Sequence, residues 1–374
     1  MARIKSKAGN LSVSEMRNLI NKKAGMPVAH DLTSENPSEV TDWIPTGSTW
    51  LNGIICRGKM AGIPVGRITE IAGMEASGKS YMAAQTAANA QKMGIDVIYF
   101  DSESAIDPSF LERSGIDLEN IVYLQAMSVE FVLETIEELL KSNDNRMLFI
   151  WDSLALTPAV SDVEGTFNPN ESVAVKARVL AKGMSKLIVS LANSKSTFLV
   201  LNQLKTNLQV QNPKYATDSE KYTTPGGRSM MYAYSLRIWL TGRKGKSSFI
   251  VDDKNYRIGN EVKARLEKSR FGTAGRTCNF KIMWGEDVGI RDDDSLFEAV
   301  QSSKQLNSSG AWWTLNHGDN TTEKFQSPKW SELMAQGKFK NRVMELFDEE
   351  VILKFDKRLV EADHFYEQEE AEAE

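Results

Sequence analysis

Eight consecutive residues, Gly73-Met74-Glu75-Ala76-Ser77-Gly78-Lys79-Ser80, fit the pattern G-x-x-x-x-G-K-[ST]. The glycines let backbone N–H groups close around phosphate oxygens. A helix beginning at Lys79 adds the partial positive charge of its N-terminus. In that setting the Lys79 ammonium reaches β- and γ-phosphates, and the Ser80 hydroxyl is a ligand for Mg²⁺. Two carboxylates extend the set. Asp152 ends the apolar run MLFIWD, where a Walker B carboxylate holds hydrated Mg²⁺. Glu103 follows the run VIYFD on the same edge and is the best-placed general base for a water. The chemistry expected is hydrolysis of ATP with Mg²⁺.

Such residues work only if strands and helices deliver them. The runs 67–72 (RITEIA), 97–101, 121–124, 147–152 and 197–203 (TFLVLNQ) read as strands. Residues 79–93 and 173–192 read as helices, and Val129, Val132, Leu133, Ile136 and Leu140 are spaced for one helical face. Near-continuous apolar strands alternating with helices predict an α/β fold, a mainly parallel central sheet flanked by helices. Three further strand-like stretches, 234–240, 261–268 and 278–284, follow without long helices and are expected to extend the sheet as antiparallel strands.

Residues 1–40 form a small N-terminal helical module. Ser12 and Glu15 make a capping box, Val13, Met16, Leu19 and Ile20 make an apolar stripe, and Gly25 with Pro27 stops the helix. One short helix cannot bury that stripe alone, so it must dock on the core or on a neighbouring subunit. The core is expected over 41–315. A small helical C-terminal element over 316–360, with helices at 327–334 and 339–355, precedes an acidic tail at 361–374.

Composition sets bounds. No apolar run approaches the roughly 20 residues of a membrane span, and no signal-peptide core is evident. Cys56 and Cys278 with three scattered histidines give neither a disulfide framework nor a zinc site. A cytoplasmic protein without membrane partners is expected. Net charge is −5, which argues against nucleic acid until its distribution is seen. Seven acidic residues lie between Glu361 and Glu374; without them, 45 basic residues face 43 acidic ones. The tail is either a solvated terminus or a competitor of DNA phosphates for basic surface.

A series of segments, in order, resembles the RecA-type recombinases, both the bacterial proteins and the phage UvsX type. These are Ile44-Pro-Thr-Gly-Ser-Thr, Gly62-Ile-Pro-Val-Gly-Arg-Ile-Thr-Glu-Ile, the phosphate loop, Phe100-Asp-Ser-Glu-Ser-Ala-Ile-Asp-Pro and Ile150-Trp-Asp-Ser-Leu-Ala-Leu-Thr-Pro. Leu201-Asn-Gln-Leu, Pro225-Gly-Gly-Arg, Glu267-Lys-Ser-Arg and Gly310-Ala-Trp-Trp continue it. The resemblance implies that Glu103 activates water, that Asp107 meets the adenine amine, and that Phe110 stacks on the base. It implies that Gln203 senses the γ-phosphate, and that Lys268 and Arg270 reach a neighbour's ATP across an interface where Tyr232 packs.

Two polar stretches, 162–172 and 204–224, are too long to be simple connections. The second carries Lys205, Lys214 and Lys221 with Tyr215 and Tyr222 between them. That mixture suits single-stranded nucleic acid, and equally a mobile surface excursion. Arg178, Lys182 and Lys186 make a basic stripe on the helix at 173–192. By resemblance Arg178 contacts DNA, as do Gly226, Gly227 and Arg228, while Ser185 stands where bacterial RecA has a second arginine.

The function expected is ATP-dependent filament formation on single-stranded DNA, followed by homologous pairing and strand exchange in recombination and repair. The partners are single-stranded DNA, homologous double-stranded DNA, further copies of the chain, and single-strand-binding and loading proteins. A ring helicase on the same core, or a nucleotide-gated filament without strand exchange, are the other readings. Fold alone does not separate them.

Overall fold

The structure is a computed structural model that describes residues 10–25, 27–33, 39–104, 106–165, 173–210, 215–242, 248–284 and 288–354. The chain divides into two units, Met1–Thr41 and Asp42–Glu374.

In the first unit, helix α1 spans Val13–Ala24. Ser12 Oγ accepts from Glu15 N–H at 3.3 Å, and Ser12 N–H donates to Glu15 Oε2 at 2.8 Å, which is the expected capping box. Gly25, at φ 69°, closes the helix in the left-handed conformation. The Asn21 side chain then accepts from Val28 and Ala29 N–H at 2.9 and 2.7 Å, and an Arg17–Asp31 ion pair at 2.6 Å ties the following segment back to the helix. No residue of α1 is buried.

In the second unit, α2 (Thr49–Ile55) precedes β1 (Ile68–Gly73) and α3 (Lys79–Lys92). Next come β2 (Asp96–Asp101), α4 (Pro108–Arg113), β3 (Ile121–Gln125), α5 (Val129–Ser142) and β4 (Met147–Asp152). They are followed by α6 (Val173–Ser194), β5 (Thr197–Gln203), α7 (Arg228–Ala233), β6 (Leu236–Gly242), β7 (Arg257–Ser269) and β8 (Thr277–Met283). The strands lie in the order β8-β7-β6-β1-β5-β4-β2-β3 within one sheet. From β6 to β3 every neighbouring pair is parallel, so the carboxyl ends of β1, β2, β4 and β5 share one edge.

Side chains on a strand alternate between faces, and here both faces are covered. Along β4, Leu148 and Ile150 enter the cluster built with α3, while Phe149 and Trp151 enter the cluster built with α5 and α6. Each such fully buried side chain contributes roughly 1.5–3 kcal/mol.

Two expectations need correction. Of the three stretches expected to be antiparallel, β6 instead runs parallel to β1, while β7 and β8 join antiparallel. The connection from β5 is long enough for a crossover, which parallel pairing requires and a hairpin cannot provide. Beyond β8, α8 (Asp292–Val300) leads into a three-stranded antiparallel sheet of β9 (Leu306–Ser309), β10 (Trp312–Asn316) and β11 (Thr322–Gln326). The sequence shows no strand pattern there because only Leu306, Leu315 and Phe325 of these strands are buried, too few for alternation to show. The 315/316 division therefore falls inside β10. The expected helices follow as α9 (Trp330–Met334) and α10 (Gly337–Phe347), packed around Trp330 and Phe339, whose rings are 5.3 Å apart. The tail at 361–374 lies outside the described residues.

Candidate nucleotide-binding site

β1 ends at Gly73 and α3 opens at Lys79, so the phosphate-loop residues form the turn between a buried strand and a helix N-terminus. Gly78, at φ 91°, adopts a backbone conformation that side chains rarely take, and a Cβ there would lie 2.4 Å from Ile282 Cδ1. Lys79 Nζ donates to the carbonyls of Gly73 at 3.2 Å and Met74 at 2.8 Å, spanning the loop. Burial lowers the Lys79 pKa, and Asp152, Glu103 and Glu75 oppose that shift. All three carboxylates are therefore close enough to share its field. The Ser77 hydroxyl is buried and has no hydrogen-bond partner among the described residues.

Asp152 is buried at the end of β4 and accepts from the Tyr99 hydroxyl at 2.9 Å. Burial raises its pKa; hydrogen bonds from Ser80 and Tyr99 pull it back down. Ser80 is thus near enough to act on the Asp152 carboxylate. Glu103 is exposed, one residue past the pairing of Ser102 with the chain after β4: Ser102 N–H donates to Asp152 O at 2.7 Å, and Ser153 N–H donates to Ser102 Oγ at 2.8 Å. Its pKa is raised, first by burial and then by Asp152 and Asp101, with Lys79 opposing.

Asp101 was not singled out by the sequence reading, yet it shapes this loop. Its carboxylate accepts from Glu103 N–H at 2.8 Å, Ser104 N–H at 3.0 Å, Ile106 N–H at 3.3 Å and the Tyr123 hydroxyl at 2.8 Å. An Asp ending a strand and followed by small polar residues is an Asx-turn signal, and that could have flagged it. Gln203 sits beside Gly73 in the β1–β5 register, and Leu204 N–H donates to Gly73 O at 3.1 Å. Lys79, Ser80, Asp152, Glu103 and Gln203 therefore gather along one edge of the sheet.

A cleft of about 410 Å³ opens against residues 76–81, with Phe110, Asn260, Val262 and Ile282 among its walls. The Phe110 ring lies 6.3 Å from that of Tyr81. Asp107 caps α4 instead: it accepts from Ser109 N–H at 3.1 Å and from the Ser109 hydroxyl.

Lys268, Arg270 and Tyr232 lie together elsewhere. Lys268 Nζ donates to Met231 O at 2.7 Å, and Arg270 donates to Tyr232 O at 3.1 Å. The Tyr232 side chain is 72% exposed. Arg270 N–H bonds Ser235 O, and Ser235 N–H bonds Ile68 O, so this group stands level with the start of β1. Gly73 is five residues further on, about 17 Å along an extended strand.

The second polar loop has a short ladder at its neck, where Lys205 pairs with Thr223 and Thr206 with Tyr222. Lys205 is exposed and Lys221 half-buried, while Lys214 lies outside the described residues, as do 166–172 of the first loop. Tyr215 is 82% exposed, whereas Tyr222 is half-buried and packs with Leu204 and Trp239. Gly226 and Gly227 lead into α7 at Arg228, and a Cβ on Gly227 would lie 3.8 Å from Ala177. That contact brings exposed Arg228 and Arg178 to the same region. Further along α6, Lys186 bonds Glu137 on α5 at 2.7 Å, and the Ser185 hydroxyl donates to Ala181 O at 2.9 Å. Lys176, which the sequence did not mark, donates to the carbonyls of Leu154, Ala155 and Thr157 and pins α6 to the segment after β4.

The RecA N-terminal domain family matches residues 12–289 of this chain. The chain belongs to the RecA family. RecA of Rubrobacter xylanophilus is 31% identical over 330 residues, covering 87% of this chain and 89% of its own length. RecA of Mesorhizobium japonicum is 30% identical over 312 residues, 83% of this chain and 80% of its own. For RecA of Streptomyces avermitilis the figures are 29% over 280 residues, 75% and 70%. As a RecA-family member, the chain is a DNA-dependent ATPase and an ATP-dependent recombinase of recombination and repair.

Proposed function

We propose that ATP lies with its triphosphate in the turn Gly73–Ser80 and its base towards Phe110, and that closure by a second copy couples hydrolysis to the grip on DNA. The observation that carries this is the split between the two groups of charges. Lys79, Ser80, Asp152, Glu103 and Gln203 share one edge of the sheet, whereas Lys268 and Arg270 sit level with the far end of β1. A cation so placed serves a neighbour's phosphates better than its own.

The residues fit a Mg²⁺–ATP complex: an orphaned buried hydroxyl at Ser77, a Ser80 hydroxyl near the Asp152 carboxylate and a lysine folded over the loop. Ser80 and Asp152 would hold Mg²⁺, which when bound neutralises charge on the phosphate oxygens. Backbone N–H groups of residues 74–79 and the Lys79 ammonium hold the β- and γ-oxygens. Glu103 takes the proton from the attacking water. Gln203, beside Gly73 at the root of the second loop, relates the state of the γ-phosphate to that loop. Lys268 and Arg270 of the adjoining copy stabilise charge that develops on the transferred phosphoryl group, with Tyr232 packed at the junction.

RecA-family chains assemble on single-stranded DNA. Arg178, Lys205, Lys214, Lys221, Gly226, Gly227 and Arg228 supply its phosphate and backbone contacts in this reading, and homologous duplex is the second DNA partner. Residues 1–40 serve assembly through the exposed Val13, Met16, Leu19 and Ile20 stripe. The acidic tail at 361–374 competes with DNA for basic surface, single-strand-binding and loading proteins assist assembly, and the compartment is the cytoplasm. No helix among the described residues is long and apolar enough to cross a membrane.

A strand-exchange assay with homologous and heterologous duplex, using ATP and a non-hydrolysable analogue, tests the whole scheme. Joint molecules that require homology and triphosphate are expected. Directional unwinding without pairing, or assembly without joint molecules, would instead fit the helicase or regulatory-filament readings.

A further inference from the structure

Lys176 is a half-buried lysine that the nucleotide site does not use. Its ammonium donates to three backbone carbonyls, those of Leu154 at 2.9 Å, Ala155 at 3.3 Å and Thr157 at 2.6 Å. An ammonium has three N–H donors, so each can meet one carbonyl. Burial lowers the Lys176 pKa, Asp162 opposes that shift and Lys205 adds to it. The three oxygens replace the water that the cation gives up on burial. They also join the two ends of the first polar loop, since residues 154–157 precede it and Lys176 follows it.

The carbonyl segment is itself tied to the hydrolytic residues. Ser102 stands next to Glu103, and its hydroxyl donates to Asp152 O at 3.2 Å and Ser153 O at 3.1 Å. The Thr157 hydroxyl donates to Ser153 O at 3.0 Å and accepts from the Trp151 indole N–H at 2.8 Å. Leu154 N–H donates to Leu201 O on β5 at 3.0 Å, and a Cβ on Gly226 would lie 3.5 Å from Leu154 Cδ2. One short segment thus meets the Glu103 loop, the strand that leads into the second polar loop, and the glycines before Arg228. Along α6, Arg178 follows Lys176 by two residues, about 200° around a helix. With Lys176 held inward, Arg178 is turned outward, where it is exposed.

We propose that Lys176 is a positioning residue for DNA-stimulated hydrolysis. It fixes the rotation of α6 so that Arg178 faces DNA, and it passes that engagement through residues 153–157 to the loop that carries Glu103. Lys176 itself touches neither DNA nor nucleotide. The inference rests on the reading of Arg178 as a DNA contact.

The test uses the full chain with Mg²⁺, ATP and oligo(dT). Lys176→Met keeps the length of the side chain and removes the donors. It should bind a non-hydrolysable ATP analogue as the wild type does. Hydrolysis at saturating oligo(dT) should fall by about tenfold, the scale of a lost hydrogen bond to a charged group. DNA binding should weaken yet keep its wild-type dependence on salt, because no phosphate contact is removed, whereas Arg178→Ala should flatten that dependence. In the double variant the two effects on DNA affinity should not add, since one residue acts through the other. Full DNA-stimulated turnover in folded Lys176→Met overturns the proposal. So does additivity in the double variant. A salt dependence flattened as in Arg178→Ala also overturns it, because Lys176 would then be a direct contact. If Lys176→Met melts below the assay temperature, Lys176→Arg carries the same cycle: it keeps the charge but cannot place one nitrogen among three carbonyls. Failure of the Arg178 reading would look different: Arg178→Ala alone would leave DNA affinity and its salt dependence intact.

Discussion

Arg237 on β6 and Glu70 on β1 form an ion pair at 2.6 Å, with side chains only 7% and 0% exposed. Asn202 donates to the other Glu70 oxygen at 2.9 Å and to Pro225 O at 3.0 Å, and Arg237 also donates to Thr224 at 3.0 Å. The pair thus joins the strand that carries the phosphate loop to the end of the second polar loop. Breaking a buried pair leaves one charge uncompensated, which costs roughly 3–5 kcal/mol. Arg237→Leu should lose about that much in urea unfolding and make the loop at 204–224 more sensitive to protease. A loss below about 0.5 kcal/mol, the scale of surface substitutions, would show that Glu70 is satisfied by Asn202 alone.

Lys79 and Glu103 should separate binding from turnover. Lys79→Ala removes the ammonium that spans the phosphate loop, so productive ATP use should vanish. Glu103→Gln keeps the loop that Asp101 organises, because Asp101 binds the backbone N–H of residue 103 and not its side chain. Nucleotide affinity should stay within about twofold while hydrolysis falls by roughly 10²–10⁴. Unchanged single-turnover hydrolysis in Glu103→Gln would remove it as the base.

The pH profile should show the same group. Glu103 acts as a base only when ionised, and burial with nearby Asp152 and Asp101 raises its pKa. Hydrolysis should therefore decline as pH falls through a value above the ordinary glutamate range, and Glu103→Gln should lose that limb. Asp152 is also raised by burial, so the folded chain holds its proton to higher pH than the unfolded chain. Its contribution to folding stability is greatest below the ordinary aspartate pKa and is lost as pH rises through the raised one. Denaturation of the nucleotide-free protein against pH, with Asp152→Asn as reference, measures that slope.

Mixing two inactive variants tests whether Arg270 works in trans. Arg270→Ala should bind nucleotide normally yet hydrolyse it roughly 10³-fold or more slowly, the scale of an arginine finger. Combined with Lys79→Ala, it should recover part of the activity. In mixed filaments an intact phosphate loop from one variant meets an intact Arg270 from the other. No recovery across a range of mixing ratios, with co-assembly confirmed, would place Arg270 outside the neighbour's site.

The phosphate loop was legible because its determinants are local. Glycines, a lysine and a serine within eight residues, between an apolar strand and a helix, already dictate the turn. The parallel half of the sheet was legible for a similar reason, since alternating strands and helices admit few other packings. The capping box of α1 is local too.

What remained hidden depends on register and on partners far along the chain. No pattern near residue 260 signals that Asn260 would face Ile282 and line the cleft, because strand pairing decides it. Lys186 reads as one member of a basic stripe, yet its charge is engaged by Glu137, 49 residues earlier. Tyr222 looks like an aromatic offered to DNA, yet it is half-buried against Trp239 and Leu204. Lys268 and Arg270 show the divide most clearly. Their charges are plain in the sequence, but their distance from their own phosphate loop follows from how β7 pairs with β6, and β6 with β1. Local chain chemistry set which groups this protein could use; long-range hydrogen-bond register decided which of them meet.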